Sequence, residues 1–221
     1  NGRVSRYAQA FAGPGTQGAT SRPNFSELGL FAQDDWRVKS NLSVTLGLRY
    51  DVQKMRKPPV RNPDPLLASF GVDTSRLNND YNNIAPRFGF AWNPKTRMVV
   101  RGGYGLFYGR TPSIMLGTAH TQNGLSVVLI DLNRPTLPFA YPGRFTDLAQ
   151  VSAFTPSIPS IVVFDRDYQQ PYTQQGSLGI EYGLTNDLSV GVSYLHVQGS
   201  HLQRTRDINL LPPVSSPVSS G

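Results

Sequence analysis

The sequence contains no cysteine, which removes disulfide frameworks, thiolate metal sites and cysteine nucleophiles together. No apolar run approaches the roughly 18 residues that a membrane-crossing helix needs, so a helical membrane protein is excluded. Charge is sparse, with Asp, Glu, Lys and Arg making up 16 % of the 221 residues. The Ala/Glu/Lys/Leu composition of helical proteins is missing too. In its place stand 21 Gly, 18 Pro, 10 Tyr and 11 Phe, a profile of strands and turns. The start at Asn1 shows no basic stretch followed by an apolar one. Either the protein stays inside the cell, or the chain is an excerpt whose beginning lies elsewhere.

The formal charge of +7 invites a nucleic-acid reading, but the basic residues are scattered singly, as at Arg37, Arg49, Arg87, Arg101, Arg110 and Arg204. The one local cluster is KMRKPPVR at 54–61, and the lone RGGYG at 101–105 sits inside an alternating strand rather than in a repeated, disordered array. The expectation is therefore that nucleic acid is not a partner.

Three segments share one plan: an aromatic, a short polar turn, and an aliphatic six positions on. They run Trp36 to Leu42, Trp92 to Met98 and Tyr182 to Leu188, and each reads as an antiparallel hairpin. Even-numbered positions on both sides of every turn are apolar: Leu28, Leu30 and Ala32; Leu42 to Tyr50; Ile84 to Phe90; Val100, Tyr104 and Leu106; Leu178 and Ile180; Val190 to Tyr194. The odd-numbered set is Ser, Thr, Gly and Arg, with Arg49, Arg87 and Arg101 as its cations. Six strands thus keep phase with one oily face.

Strand length and loop length choose between a soluble sandwich and a membrane wall. Residues 42–50 at about 3.3 Å each span roughly 30 Å, which at a tilt of about 40° is a height of about 23 Å, close to the apolar band of an outer-membrane barrel. Trp36, Trp92 and Tyr182 at one end, and Tyr50 and Tyr108 at the other, stand where interface aromatics belong. The connections between hairpins, 53–82 and 110–171, are long for a compact soluble domain. The expected fold is all-β: hairpins of an incomplete antiparallel transmembrane barrel, with short periplasmic turns and long extracellular loops. Residues 1–25 read as loop, 26–207 as a barrel segment of three or four hairpins, and 208–221 as loop or linker. Two stretches, 125–132 and 160–165, read either as a further hairpin within the second long loop or, equally well, as loop folded over the lumen.

The phrases ELGLFAQDDWRVKSNLSVTLGLRYDV, NNIAPRFGFAWNPKTRMVVRGGYGLFYGR and PYTQQGSLGIEYGLTNDLSVGVSYLHVQGSHLQR resemble successive hairpins of TonB-dependent outer-membrane receptors, in particular the Oar-like branch. The resemblance covers 26–110 and 168–207, and FAQDDW with LGLRYD at 31–51 is its most specific part. It implies a barrel of about 22 strands around a plug, opened by an energy-transducing partner to import a scarce, bulky solute. No plug, TonB-box or terminal aromatic strand is visible in the chain, so the resemblance makes it an internal piece of a larger protein, and TonB would act through parts outside it.

Candidate sites follow the two faces. Arg49, Arg87 and Arg101 would line the lumen, either steering an anionic solute or, as favoured, pairing with Glu27, Asp51 or a plug. Asp34 and Asp35 point to opposite faces of a strand, which excludes a paired-carboxylate acid and base. His120, His196 and His201 lack metal spacing. Asp165 with Asp167 is too small a set for calcium. No nucleophile or phosphate-loop motif occurs. The expectations are no enzyme activity, no metal and no cofactor; the partners expected are outer-membrane lipid, the TonB system and an extracellular ligand. Transport is the first reading, and a structural or adhesive outer-membrane surface protein is the alternative.

Overall fold

The computed structural model describes residues 4–140, 142–151 and 159–208. In chain order these form β1 (Arg6–Ala12), β2 (Phe25–Lys39), β3 (Leu42–Met55), α1 (Pro65–Ser69), β4 (Ile84–Lys95), β5 (Met98–Tyr108), α2 (Ser113–Thr121), β6 (Val127–Asn133), β7 (Tyr172–Gly183) and β8 (Ser189–Ser200). Six strands make one antiparallel meander ordered β2-β3-β4-β5-β7-β8, and β1 pairs with β6 in a separate two-stranded ribbon. Among the described residues β2 and β8 have one partner each, so the sheet is an open length of wall.

Register explains why the alternation in sequence becomes two unlike faces. Across the five pairings even residues meet even residues: Leu28 faces Val52, Leu46 faces Phe88, Phe88 faces Tyr104, Val100 faces Ile180, and Ile180 faces Val192. A slip of one residue in any pair would send that strand's apolar set to the polar side. The tight turns at 40–41 and 96–97 absorb their own offsets through irregularities between Arg37 and Lys39 and between Trp92 and Lys95. In the third turn Leu188 does not open a strand. Its carbonyl accepts the N–H groups of Leu184 and Thr185, and β8 starts at Ser189.

The even face is bare. Trp36, Leu48 and Val192 remain 62 %, 53 % and 75 % exposed, although they lie within long strands of the sheet. The apolar face has glycine gaps at Gly176 and Gly102, and at Gly102 the Phe90 ring of the neighbouring strand lies so close that a Cβ would sit 2.5 Å from it. The aromatic covers the space that the glycine leaves.

Burial lies instead at the loop end. Met55, Leu116, Ala119 and Phe164 form one core, with Phe25, Leu77, Met115 and Tyr168 packed around it. Ile130, Phe145 and Val151 form a second, under Tyr7, Phe11 and Phe139. Two expectations are corrected here. Stretch 1–25 is not all loop, because β1 occupies 6–12. Residues 125–132 do not pair with 160–165; Val127–Asn133 pairs with Arg6–Ala12 instead. The reason is complementarity over distance: Arg6 donates from Nε and Nη2 to the two carboxylate oxygens of Asp131 at 2.8 and 2.5 Å. Tyr7 meanwhile packs its ring edge-on to Phe145. Gly13 is obligatory at the exit of β1, since a Cβ there would lie 1.8 Å from the Leu125 carbonyl oxygen. The linker expected at 208–221 lies, beyond residue 208, outside the described residues.

Candidate functional site

The even face has an aromatic at each end. Toward the short turns stand Trp36 opposite Val44, Trp92 opposite Leu42 and Val100, and Tyr182 opposite Met98 and Val190. Toward the long loops Tyr50 donates its hydroxyl to the Tyr81 carbonyl at 2.8 Å, and Tyr108 stacks against Tyr172 at 5.5 Å between centroids. From the Trp92 level to Ile84, the partner of Tyr50, eight residues span about 27 Å of strand, or about 20 Å of height at a tilt near 40°. Between these levels Leu46, Leu48, Phe88, Val100, Leu178 and Ile180 offer only carbon to their surroundings. A surface of this kind is stable where hydrocarbon covers it.

The odd face carries the three arginines, and each has its own partner. Arg49 holds Asp51 with two bonds of 2.8 Å, and its guanidinium rests over Gly29, where a Cβ would come within 2.9 Å of it. Arg101 lies 3.7 Å from Glu181 on the next strand. Arg87 takes no carboxylate among the described residues. Its guanidinium sits over the Phe107 ring, 4.6 Å from the centroid, as a cation on a π face. Glu27, expected as a partner for these arginines, binds Arg110 at 3.0 Å. The three cations are therefore spaced along the wall and do not converge. This face also carries Phe31, Leu195 and Val197, so it is less uniformly polar than the alternation suggests.

Asp34 and Asp35 diverge as their parity requires. Asp35 accepts the Thr45 hydroxyl at 2.6 Å on the odd face, and Asp34 lies opposite Leu46 on the even face, one rung from Trp36. His120 bridges Ser21 and the Lys57 carbonyl, His201 packs edge-on to Tyr172, and His196 lies opposite Gly176. Asp165 accepts the Asp167 N–H at 3.0 Å and closes a turn. Among the described residues no group of three or more acidic or histidine side chains gathers around a common point.

One feature of the loop end had no signal in the sequence. Gln53, on the odd face of β3, is 8 % exposed. Its side-chain oxygen accepts the Thr111 N–H at 2.7 Å and the Gln170 amide at 3.2 Å, and its own amide reaches the Thr111 carbonyl. Gln170 in turn accepts from the fully buried Asn83 at 2.9 Å, and the Gln170 N–H donates to Asp80. Asn83 Oδ1 finds no partner among the described residues. This network ties both long connections to the top of β3, on the odd side of the sheet. Tyr168 caps it, receiving Gln203 at 2.6 Å beside Thr111, and burial pushes the phenol above its ordinary value although both hydrogen bonds act the other way. Asparagine and glutamine carry no periodic signature, and nothing local joins residue 53 to residue 170.

The arrangement is a wall with carbon outward, polar and arginine-bearing residues inward, and folded loops over one end. Comparison with family models matches residues 4–221 to an outer membrane beta barrel domain. Comparison with curated proteins and with solved structures finds no match. A match over nearly the whole chain, on a sheet whose bare apolar face needs hydrocarbon beside it, makes this chain a member of the outer membrane beta barrel domain family and places it in the outer membrane.

Proposed function

We propose that this wall belongs to a receptor that imports a bulky solute through the outer membrane with energy from the TonB system, as the resemblance of its hairpins to Oar-like TonB-dependent receptors implies. The supporting observation is the direction in which the loops fold. Phe25 and Met55 are odd-face residues, and α2 with Phe164 and Tyr168 packs against them. A solute arriving from outside meets ordered loops before it meets the lumen, which suits capture followed by gated entry. Arg49, Arg87 and Arg101 would then set the charge of the inner wall. Trp36, Trp92, Tyr182, Tyr50 and Tyr108 would anchor the wall at the two membrane interfaces. Catalysis has no role in this reading, because the carboxylates Asp34 and Asp35 that come nearest to an acid and base point apart. TonB would act through parts outside this chain, and nucleic acid is not a partner.

The test compares strains with and without the parent gene, in backgrounds with intact or deleted TonB, for accumulation of a panel of solutes too large for general porins. Import that needs both genes is the expected result. Unchanged import of every solute, together with lost attachment of cells to surfaces, would establish the adhesive alternative instead.

A further inference from the structure

We propose that the outward surface just above Tyr50, built from Lys54, Arg56 and Arg22, binds the phosphorylated headgroup of an outer-leaflet lipid. Parity at the top of β3 carries the inference. Gln53 and Met55 turn inward beneath the loops and are 8 % and 4 % exposed, whereas Lys54 and Arg56, on the other side of the strand, are exposed. The pairing continues past the end of β2: Lys54 lies opposite Ser26, the Arg56 N–H donates to the Asn24 carbonyl at 2.9 Å, and Arg56 Nε donates to Ser26 Oγ at 2.7 Å. Arg56 is thereby fixed on the outer surface. Arg22, exposed and two residues before Asn24, is the next cation along the chain.

Below these cations the outward stripe is wholly apolar, through Val52, Tyr50, Leu48 and Leu46 on β3 and Leu28 and Leu30 on β2. Lys54 is four residues above Tyr50, about 13 Å along the strand and about 10 Å in height at a tilt near 40°. A lysine side chain reaches back toward the membrane by about 6 Å, which brings the head of Lys54 to within about 4 Å of the Tyr50 level, inside the headgroup layer, while acyl chains lie on the stripe beneath.

Electrostatics gives the sign of the ligand. The four ion pairs among the described residues, Arg6 with Asp131, Arg49 with Asp51, Arg101 with Glu181 and Arg110 with Glu27, include neither Lys54 nor Arg56. Glu27, beside Ser26 in sequence, faces inward and is held by Arg110 and Gln53. The acidic residue on the outward stripe of this hairpin is Asp34, opposite Leu46 and about 26 Å below Lys54. Two to three uncompensated cations next to a membrane call for an anion supplied by the lipid. Free phosphate fits less well, because the cations stand on an open surface and the apolar stripe contributes only to a ligand with chains.

The test uses the purified parent barrel in detergent micelles and native mass spectrometry, with three probes: lipid A bearing two phosphates, the same lipid with its phosphates removed, and inorganic phosphate. The wild-type protein is expected to retain the phosphorylated lipid. The Lys54→Gln/Arg56→Gln variant is expected to hold it about 25-fold more weakly, at about 5-fold per cation near an anionic surface. Lys95→Gln at the opposite end of the wall serves as control. Heat-dependent gel mobility reports whether each variant is folded. Should the double variant fail to fold, the two lipids on wild-type protein still decide. Equal retention of the phosphorylated and phosphate-free lipids would overturn the proposal, and so would displacement of the lipid by equimolar inorganic phosphate.

Discussion

Replacing Leu178 by arginine separates a membrane wall from a sheet that merely lacks a cover. Leu178 lies on the even face of β7, opposite Gly102 and Tyr194, and is 48 % exposed. It stands four residues from Tyr182 and six from Tyr172, so about 10 Å and about 15 Å of height separate it from the two aromatic levels. The outward positions of β5, β7 and β8 carry no carboxylate to receive the new charge. In water this substitution on a half-exposed side chain would change stability by roughly 0.5 kcal/mol at most. Near the bilayer midplane an arginine costs about 2 to 4 kcal/mol, which lowers the folding equilibrium constant by a factor of about 30 to 700. Ser177→Arg, one residue away on the inner face opposite Gly103 and Leu195, should cost about 1 kcal/mol or less, since the interior of the wall is polar. The assay is guanidinium unfolding of the parent barrel in phosphocholine vesicles, followed by tryptophan fluorescence. A Leu178→Arg variant as stable as wild type, or a Ser177→Arg variant equally destabilised, would refute the assignment of the two faces.

Three further outcomes follow from the inner face and the loop cap. The Arg49 and Asp51 side chains are 38 % and 29 % exposed, so a double-mutant cycle between them should give a coupling of about 0.5 to 1 kcal/mol that falls in high salt. Gln170→Leu removes the acceptor of Asn83 and a donor to Gln53; it should raise amide exchange in the cap, at a cost of about 1 to 3 kcal/mol, while leaving exchange in β4 and β5 unchanged. The Tyr168 phenol is held above its ordinary value by burial. Its contribution to cap stability is therefore complete below the unfolded tyrosine value of about 10 and lost as pH rises through the higher folded value. Ultraviolet titration of wild type against Tyr168→Phe should show one tyrosinate that appears late, and cap exchange that rises with it only in the wild-type protein.

The sheet was legible in the sequence because its code is local. A period of two fixes which side each residue faces, and matching parity on both sides of a turn fixes the register of the hairpin. Leu42 to Tyr50 and Leu178 to Tyr182 therefore declare the apolar face, its aromatic ends and the arginine-bearing reverse without any knowledge of a third dimension. The same rule separated Asp34 from Asp35, and the i to i+2 spacing announced the Arg49 and Asp51 pair.

Other features depended on residues far apart in the chain. That β6 pairs with β1 across more than a hundred residues rests on Arg6 meeting Asp131 and on Tyr7 meeting Phe145, whereas the apolar run at 160–165 offered an equally good local pattern and stayed out of the sheet. Arg87 chose the Phe107 ring, and Glu27 chose Arg110, because sheet twist and neighbouring glycines decide which side chains can reach each other. The amides of Gln53, Asn83 and Gln170 carry no pattern and acquire meaning only once the loops have folded inward and water has left. Sequence alone determined the two faces of the wall, because alternation is a property of one strand. Tertiary structure decided what covers each end of it, because that depends on which distant groups can satisfy one another's hydrogen bonds and charges.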